Sequence, residues 1–466
     1  GDVYKRQMSD VVAGIIVAII ALPLSIALAL ASGVGPEQGI YTAIAAGFVI
    51  SFLGGSQVQI AGPTAAFATI VAGIVAKSGV EGLAIATIMA GIILVIMGFC
   101  HFGSLIKFIP FTITTGFTSG IAVTIVIGQL KDFFGVTYPA GMETIETMQK
   151  LKAFAAGFGS VNLHAIIVGV VCLAILIVMP MITEKIPGSL VAVIAGILMV
   201  KFLPLHVNTI GDLYTVSNKL PAFHLPVFSY DVIQGSLSDA FTIAVLAAIE
   251  SLLSCVVADG MIGGKHRSNT ELVAQGAGNI ISALFGGIPA TGAIARTAAN
   301  VKNGGRTPVA GMVHALTLLL ILLFLMPYAS LIPMTCLASI LMIVGYNMSG
   351  WRTVGRMIKR APKSDVAVLL VTFVLTVFFD LVVAIEFGMV LAAFLFLKRM
   401  SDVAQIRQWV DKENLDDPVL SEDSDLKQVP KNAVVYEVFG ALFFGAANNF
   451  LNVINDETKN VLILRM

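Results

Sequence analysis

Gly54-Gly55 and then Gly62-Pro63-Thr64-Ala65-Ala66 lead into one short apolar run, 63–77. Gly286-Gly287 and then Pro289-Ala290-Thr291-Gly292-Ala293 lead into another, 290–301. A helix needs about 20 apolar residues to cross a bilayer, so neither run spans alone. Glycine and proline at their starts favour a broken span over a continuous helix. They are the third and tenth of fourteen apolar runs: 11–32, 38–53, 63–77, 80–100, 105–130, 163–182, 188–204, 239–258, 270–285, 290–301, 308–327, 331–348, 365–379 and 382–397. Third and tenth correspond if the chain is two repeats of seven, and an odd-numbered repeat inserts its second copy upside down. The reading is an all-α polytopic membrane protein with 14 transmembrane segments in two inverted 7-helix repeats, about 8–204 and about 239–399. Short, Gly/Pro-interrupted segments in matching halves point to a transporter's binding site. Gly-rich packing turns between membrane helices leave the same trace.

Composition agrees. Of 466 residues, 57% are hydrophobic and 12% charged, against about 25% charged in an average soluble domain. That excludes a soluble globular protein, a disordered chain and a nucleic-acid binder. The balance of 28 basic against 28 acidic residues adds no nucleic-acid signal. Continuous apolar runs exclude a membrane β-barrel, whose strands alternate. Basic residues mark the cytoplasmic side: Lys265 with Arg267, then Arg352, Arg356, Lys359, Arg360 and Lys363, then Lys398-Arg399. All three groups fall inside if the N-terminus is inside and the spans number fourteen, which suits a multi-pass protein of the cell (inner) membrane. Connections 134–162 and 205–238 then lie outside. Gly1–Gln7 precede Met8 and read as an extraneous leader. Cys100, Cys172, Cys255 and Cys336 sit in apolar runs and are expected to be buried structural residues.

Beyond 400 the chain turns polar and acidic, and 400–432 reads as a linker. From Ala433 the pattern is strand (433–444), helix (446–455) and strand (460–465), the β-β-α-β start of a cytoplasmic α/β domain, cut off at Met466.

Candidate site residues follow from the broken spans. A half-helix starting at mid-membrane points free N–H groups and its positive dipole end into the site. Two such ends from opposite repeats make an anion pocket. Thr64, Ala65 and Ala66 are one expected rim, and Thr291, Gly292 and Ala293 the other. Their small side chains let a small anion reach the backbone. Arg296 lies one turn into the tenth run, where a charge is costly and functional by default. Glu250 is an acid deep in 239–258, with Ser254 at i+4 on the same face. It can carry a coupling proton, help Ser254 hold Na⁺, or form a static pair with Arg296. Pro23 interrupts run one, and Leu24 and Leu28 then share a face that walls the pocket. His314 reads as a hydrogen-bonded packing residue. No metal cluster, nucleophile–base set or Walker, Rossmann or HExxH pattern stands in its required context, so an enzyme or ATP-driven pump is not indicated.

These residues together resemble the SulP (sulfate permease) family. The carrying stretches are Ile20-Ala21-Leu22-Pro23-Leu24-Ser25-Ile26-Ala27-Leu28, Gly39-Ile40-Tyr41-Thr42-Ala43 and Gln59-Ile60-Ala61-Gly62-Pro63-Thr64. The most specific block runs from Glu250-Ser251-Leu252-Leu253-Ser254 through His266, Glu271, Gln275-Gly276 and Asn279 to Phe285-Gly286-Gly287-Ile288-Pro289 and Arg296-Thr297. The resemblance implies the uracil-permease-like fold, with a core moving against a gate. It also implies a cytoplasmic STAS domain starting at 433–466 that can bind a cytosolic regulator, and a homodimer. It places anion contacts at positions matching Thr64, Ala65, Ala293 and Arg296. In sodium-dependent bicarbonate members, an acid and a hydroxyl at the positions of Glu250 and Ser254 bind Na⁺. Leu24 stands where many relatives have Gln. Glu250 stands where the sodium-dependent members have Asp, which tilts the reading toward protons. The expected function is secondary active transport of a small inorganic or carboxylate anion (sulfate, bicarbonate or a C4-dicarboxylate) with H⁺ or Na⁺ as coupling ion and no other cofactor. A passive anion channel and a proton-coupled nucleobase permease are the alternatives.

Overall fold

Each of the fourteen apolar runs contains helix, and the residues at the helix ends explain where they start and stop. A computed structural model of the chain describes residues 2–379, 381–403, 405–408, 433–439 and 461–465. The first half holds α1 (Asp2–Ala31), α2 (Pro36–Leu53), the two-residue strand β1 (Ala61–Gly62), α3 (Ala65–Phe99), α4 (Phe111–Phe134), α5 (Thr147–Ala156), α6 (Leu163–Ile182) and α7 (Gly188–Phe202). A single turn, α8 (Ile210–Leu213), sits in the long connection to α9 (Tyr230–Ile262). Then come α10 (Ser268–Leu284), β2 (Thr291–Gly292), α11 (Ile294–Lys302), α12 (Pro308–Phe324) and the short α13 (Met326–Ala329). The last helices are α14 (Met334–Ser349), α15 (Trp351–Arg360), α16 (Lys363–Phe378) and α17 (Leu381–Val403). Among the described residues, six helical stretches are long and apolar enough to cross a membrane by themselves. Phe99, Phe324 and Phe394 stand exposed on the outside of the bundle, an apolar surface that suits lipid and not water.

Several boundaries differ from the sequence expectation. Gly79 (φ 71°, ψ −176°) divides α3, so runs 63–77 and 80–100 meet there without a loop. A 3-10 turn over 102–108 and Pro110 delay the fifth helix from 105 to Phe111. Proline lacks the N–H a helix interior needs, so it stands at the N-cap. α9 begins at Tyr230 and not at 239, capped by Ser229 Oγ, which accepts from Val232 N at 3.4 Å. Hydropathy marks only the apolar part of a helix that continues into polar surroundings. For the same reason α1 runs back through residues 2–7 of the expected leader. Cys100 is exposed at the end of α3, while Cys172, Cys255 and Cys336 are buried.

In the polar tail, β3 (Gln405–Gln408), β4 (Ala433–Phe439) and β5 (Val461–Arg465) form a sheet ordered β3-β4-β5. β4 is antiparallel to β3 and parallel to β5. The stretch expected to be a linker thus contains the end of α17 and a paired strand. The expected helix 446–455 lies outside the described residues.

The membrane helices pack as two groups. In one, α1, α2, α3, α9, α10 and α12 surround the broken segments. In the other, α4 packs on α14 and α16, α6 on α7 and α14, and α16 on α17. α3 and α10 cross backbone to backbone: a Cβ on Gly91 would lie 2.6 Å from Gly276 O, and one on Gly276 would lie 2.5 Å from Gly91 O. Small residues at such crossings supply packing energy that lipid cannot. Gly276→Val should therefore force the helices apart at a cost of about 1–3 kcal/mol. A clear drop in the melting temperature of the detergent-solubilised protein is the expected outcome, and an unchanged melting temperature would contradict the crossing.

Candidate functional site

In a hydrocarbon interior every backbone N–H and C=O needs a partner, and extended segments survive only when the protein supplies one. Here the two broken segments supply each other. β1 and β2 pair antiparallel, Ala61 opposite Gly292 and Gly62 opposite Thr291, and Ala293 N donates to Ile60 O at 2.9 Å. The antiparallel register sends α3 and α11 away in opposite directions with their N-termini beside the ladder.

Side chains from the surrounding helices hold what the ladder leaves over. Asn279 brackets Ala290, accepting from its N–H at 2.8 Å and donating to its carbonyl at 2.9 Å. Thr42 Oγ1 accepts from Ile288 N, and Thr297 Oγ1 accepts from Ile60 N. Asn300 Nδ2 donates to Val58 O. The carboxylate of fully buried Glu271 accepts four hydrogen bonds, from Gly55 N (2.9 Å), Ser56 N (3.1 Å), Gln59 Nε2 (2.8 Å) and Gln275 Nε2 (2.8 Å). These supporting residues were not singled out as site residues. Their signal was legible: Glu271, Gln275 and Asn279 recur every four residues, a polar stripe along one face of α10.

Arg296 is 1% exposed. Its guanidinium lies over Gly62, where an added Cβ would come within 2.3 Å of Nη1. Only glycine allows this close approach. Nη2 donates to Pro63 O at 3.1 Å, and neither Nε nor Nη1 has a partner among the described residues. Among the described residues Arg296 pairs with no carboxylate, so the alternative, a static pair with Glu250, is not formed.

Glu250 is buried, and among the described residues it has no hydrogen-bond or ion-pair partner. It differs in this from the saturated Glu271. Ser254, one turn on, donates to Thr297 Oγ1 at 3.5 Å, so the Glu250–Ser254 face of α9 rests against α11.

The expected rims divide. Thr64 caps α3 in extended conformation, and its buried Oγ1 is unpartnered. Ala65 and Ala66 begin the helix and are buried. On the other side, Thr291 and Gly292 belong to the ladder, Thr291 Oγ1 donates to Ala247 O, and the Ala293 amide is already engaged. The free first-turn amides of α11 therefore start at Ile294 and Ala295, both exposed. The rim sits further along than expected because β2 consumes the residues read as its start. Two cavities of about 670 Å³ and 390 Å³ adjoin the α3 side. Ala66 lines the first and Leu28 the second, and Thr69 and Thr124 line both. Leu24 is half-buried and packs on the core. His314 is buried in α12 with no partner among the described residues for either ring nitrogen, contrary to the expected hydrogen-bonded role.

Comparison with known proteins places this arrangement. The chain is 41% identical to the putative sulfate transporter YvdB of Bacillus subtilis (strain 168), over 99% of this chain and 86% of that protein. It is 32% identical to the bicarbonate transporter BicA of Picosynechococcus sp., over 95% of this chain and 80% of that protein. Its fold matches the solved transmembrane domain of a cyanobacterium bicarbonate transporter BicA with a TM-score of 0.72 at 31% identity, covering 83% of this chain and 97% of that one. It also matches the murine Solute Carrier 26 family member A9 anion transporter in the inward-facing state, with a TM-score of 0.85 over 98% of this chain and 80% of that one. At 18% identity that match concerns the fold alone. These relatives are transporters, not enzymes. The profile of the sulfate permease family covers residues 8–372, and the chain belongs to that family as a multi-pass membrane protein.

Proposed function

We propose that the protein is a secondary active transporter of a small anion (sulfate, bicarbonate or a C4-dicarboxylate) working by alternating access. One observation carries the reading: a fully buried guanidinium, with Nε and Nη1 unpartnered, stands where two broken spans meet. Holding such a charge out of water without a counter-ion is costly. A bound anion supplies the missing acceptor, and the exposed first turn of α11 adds main-chain donors and a positive dipole end. Among the described residues α11 carries this base and no acid, which speaks against a nucleobase permease. The relatives that transport sulfate and bicarbonate support the substrate class.

Glu250 carries the coupling charge in this reading. It is a buried carboxylate with no competing partner, so a proton, or Na⁺ shared with Ser254 and nearby oxygens, has room to bind. Glu271 is excluded from that role because four donors already hold it. Fourteen spans in two inverted repeats, a cytoplasmic N-terminus and a cytoplasmic STAS domain fit the basic loops between spans. The two packing groups supply a core, with the paired broken segments, that moves against a gate. A homodimer in the cell (inner) membrane completes the proposal.

In proteoliposomes with an imposed proton or sodium gradient, the wild type should accumulate its anion above equilibrium. A channel cannot do so without a membrane potential, so purely downhill flux at zero potential would overturn the carrier assignment. Glu250→Gln should abolish accumulation while leaving the elution profile and melting temperature intact, and normal accumulation would remove Glu250 from coupling. Arg296→Met removes both the charge-assisted bonds and the desolvated charge. Bonds to charged groups are worth about 1.5–3 kcal/mol, so anion affinity should fall roughly ten- to a hundredfold. The melting temperature should hold or rise. Unchanged affinity for sulfate and bicarbonate would take Arg296 out of the site.

A further inference from the structure

α15 reads Trp351-Arg-Thr-Val-Gly-Arg-Met-Ile-Lys-Arg360 and has no buried residue. Trp351, Val354 and Ile358 recur at spacings of three and four and share one face. Arg352, Arg356, Lys359 and Arg360 occupy the opposite side, and the helix contains no acid. Trp351 and Ile358 are 53% and 47% exposed. A helix so divided, with Trp351 and Ile358 exposed and Val354 only half-covered among the described residues, is suited to lie in the plane of a membrane surface.

Its aromatic end is anchored. Trp351 Nε1 donates to Tyr346 Oη at 3.0 Å, and the Arg352 guanidinium lies 5.3 Å above the Trp351 ring. Paired Trp and Tyr at the end of a membrane helix are typical of the interface between hydrocarbon and headgroups. Immediately beneath, α4, α6 and α14 enclose a groove of about 610 Å³. Val123, Val126, Leu173, Ile177 and Ile343 line it, with Tyr346 beside the start of α15. The aliphatic groove thus ends at Tyr346 and Ser349, directly before the helix that carries the four bases.

We propose that α15 and this groove form a binding site for an anionic phospholipid. One acyl chain lies in the groove against Leu173 and Ile177, and the phosphate headgroup meets Arg352, Arg356, Lys359 and Arg360. Two observations commit the site to a lipid. A free phosphate has no use for the aliphatic groove, and a neutral lipid has no use for four bases that form no ion pair among the described residues. The site is separate from the anion pocket and does not depend on its assignment.

Trp351 is one of two tryptophans in the chain, the other being Trp409, so a Trp409→Phe background reports on Trp351 alone. This protein is reconstituted in vesicles doped with phosphatidylglycerol or phosphatidylcholine carrying brominated acyl chains. At equal mole fraction, brominated phosphatidylglycerol should quench Trp351 at least threefold more steeply. Replacing all four bases with Gln should erase the difference. Ile177→Phe, which fills the groove from an exposed position, should weaken the preference while the elution profile stays unchanged. Inorganic phosphate should not relieve the quenching. Equal quenching by the two lipids, an unaffected Ile177→Phe variant, or relief by phosphate would each overturn the proposal.

Discussion

A main-chain ladder two residues long, Ala61–Gly62 against Thr291–Gly292, joins the two halves of the protein in the middle of an apolar body. Exposed backbone in hydrocarbon costs several kcal/mol per unpaired group. Each broken segment is therefore tolerable only because the other is present. Asn279 from α10, Thr42 from α2, and Thr297 and Asn300 from α11 satisfy the flanking groups. The site is thus shared by both halves of the chain, and neither half can form it alone.

The ladder also sorts the buried charges. Glu271 faces a turn rich in free amides and is saturated by Gly55, Ser56, Gln59 and Gln275. It behaves as a fixed strut for the loop that enters β1. Arg296 faces glycine and a single carbonyl, so most of its donors are free. Glu250 has neither donors nor a cation among the described residues. Groups with the same formal cost of desolvation therefore have opposite capacities for ligand, set by how many partners the surrounding backbone offers.

Packing separates the moving parts that the proposed cycle needs. α3 and α10 touch at Gly91 and Gly276 with backbone in contact, which makes the ladder and its supports one stiff unit. The second helix group meets this unit across cavities lined by Ala66, Leu28, Thr69 and Thr124. A boundary that holds open space gives way more readily than one of interlocked backbone, and the start of α3 lies on that boundary. α15 follows α14 in the chain and touches α4 of the second group.

Much of this was legible in the order of residues. Long apolar runs place the helices, because hydrocarbon demands internally bonded backbone. Gly62-Pro63 and Pro289 mark the breaks, because glycine and proline weaken a helix wherever they occur. Arg296 and Glu250 stand out because a charge in an apolar run is rarely idle. Helix ends such as Tyr230 and Phe111 were less legible, since hydropathy says nothing about where hydrogen bonding stops. Whether Arg296 pairs with Glu250, which of two buried acids is saturated, and that Thr291 and Gly292 form a strand rather than a helix rim were decided only in three dimensions. Each depends on which backbone groups from distant parts of the chain come within hydrogen-bonding distance, and no local pattern encodes that.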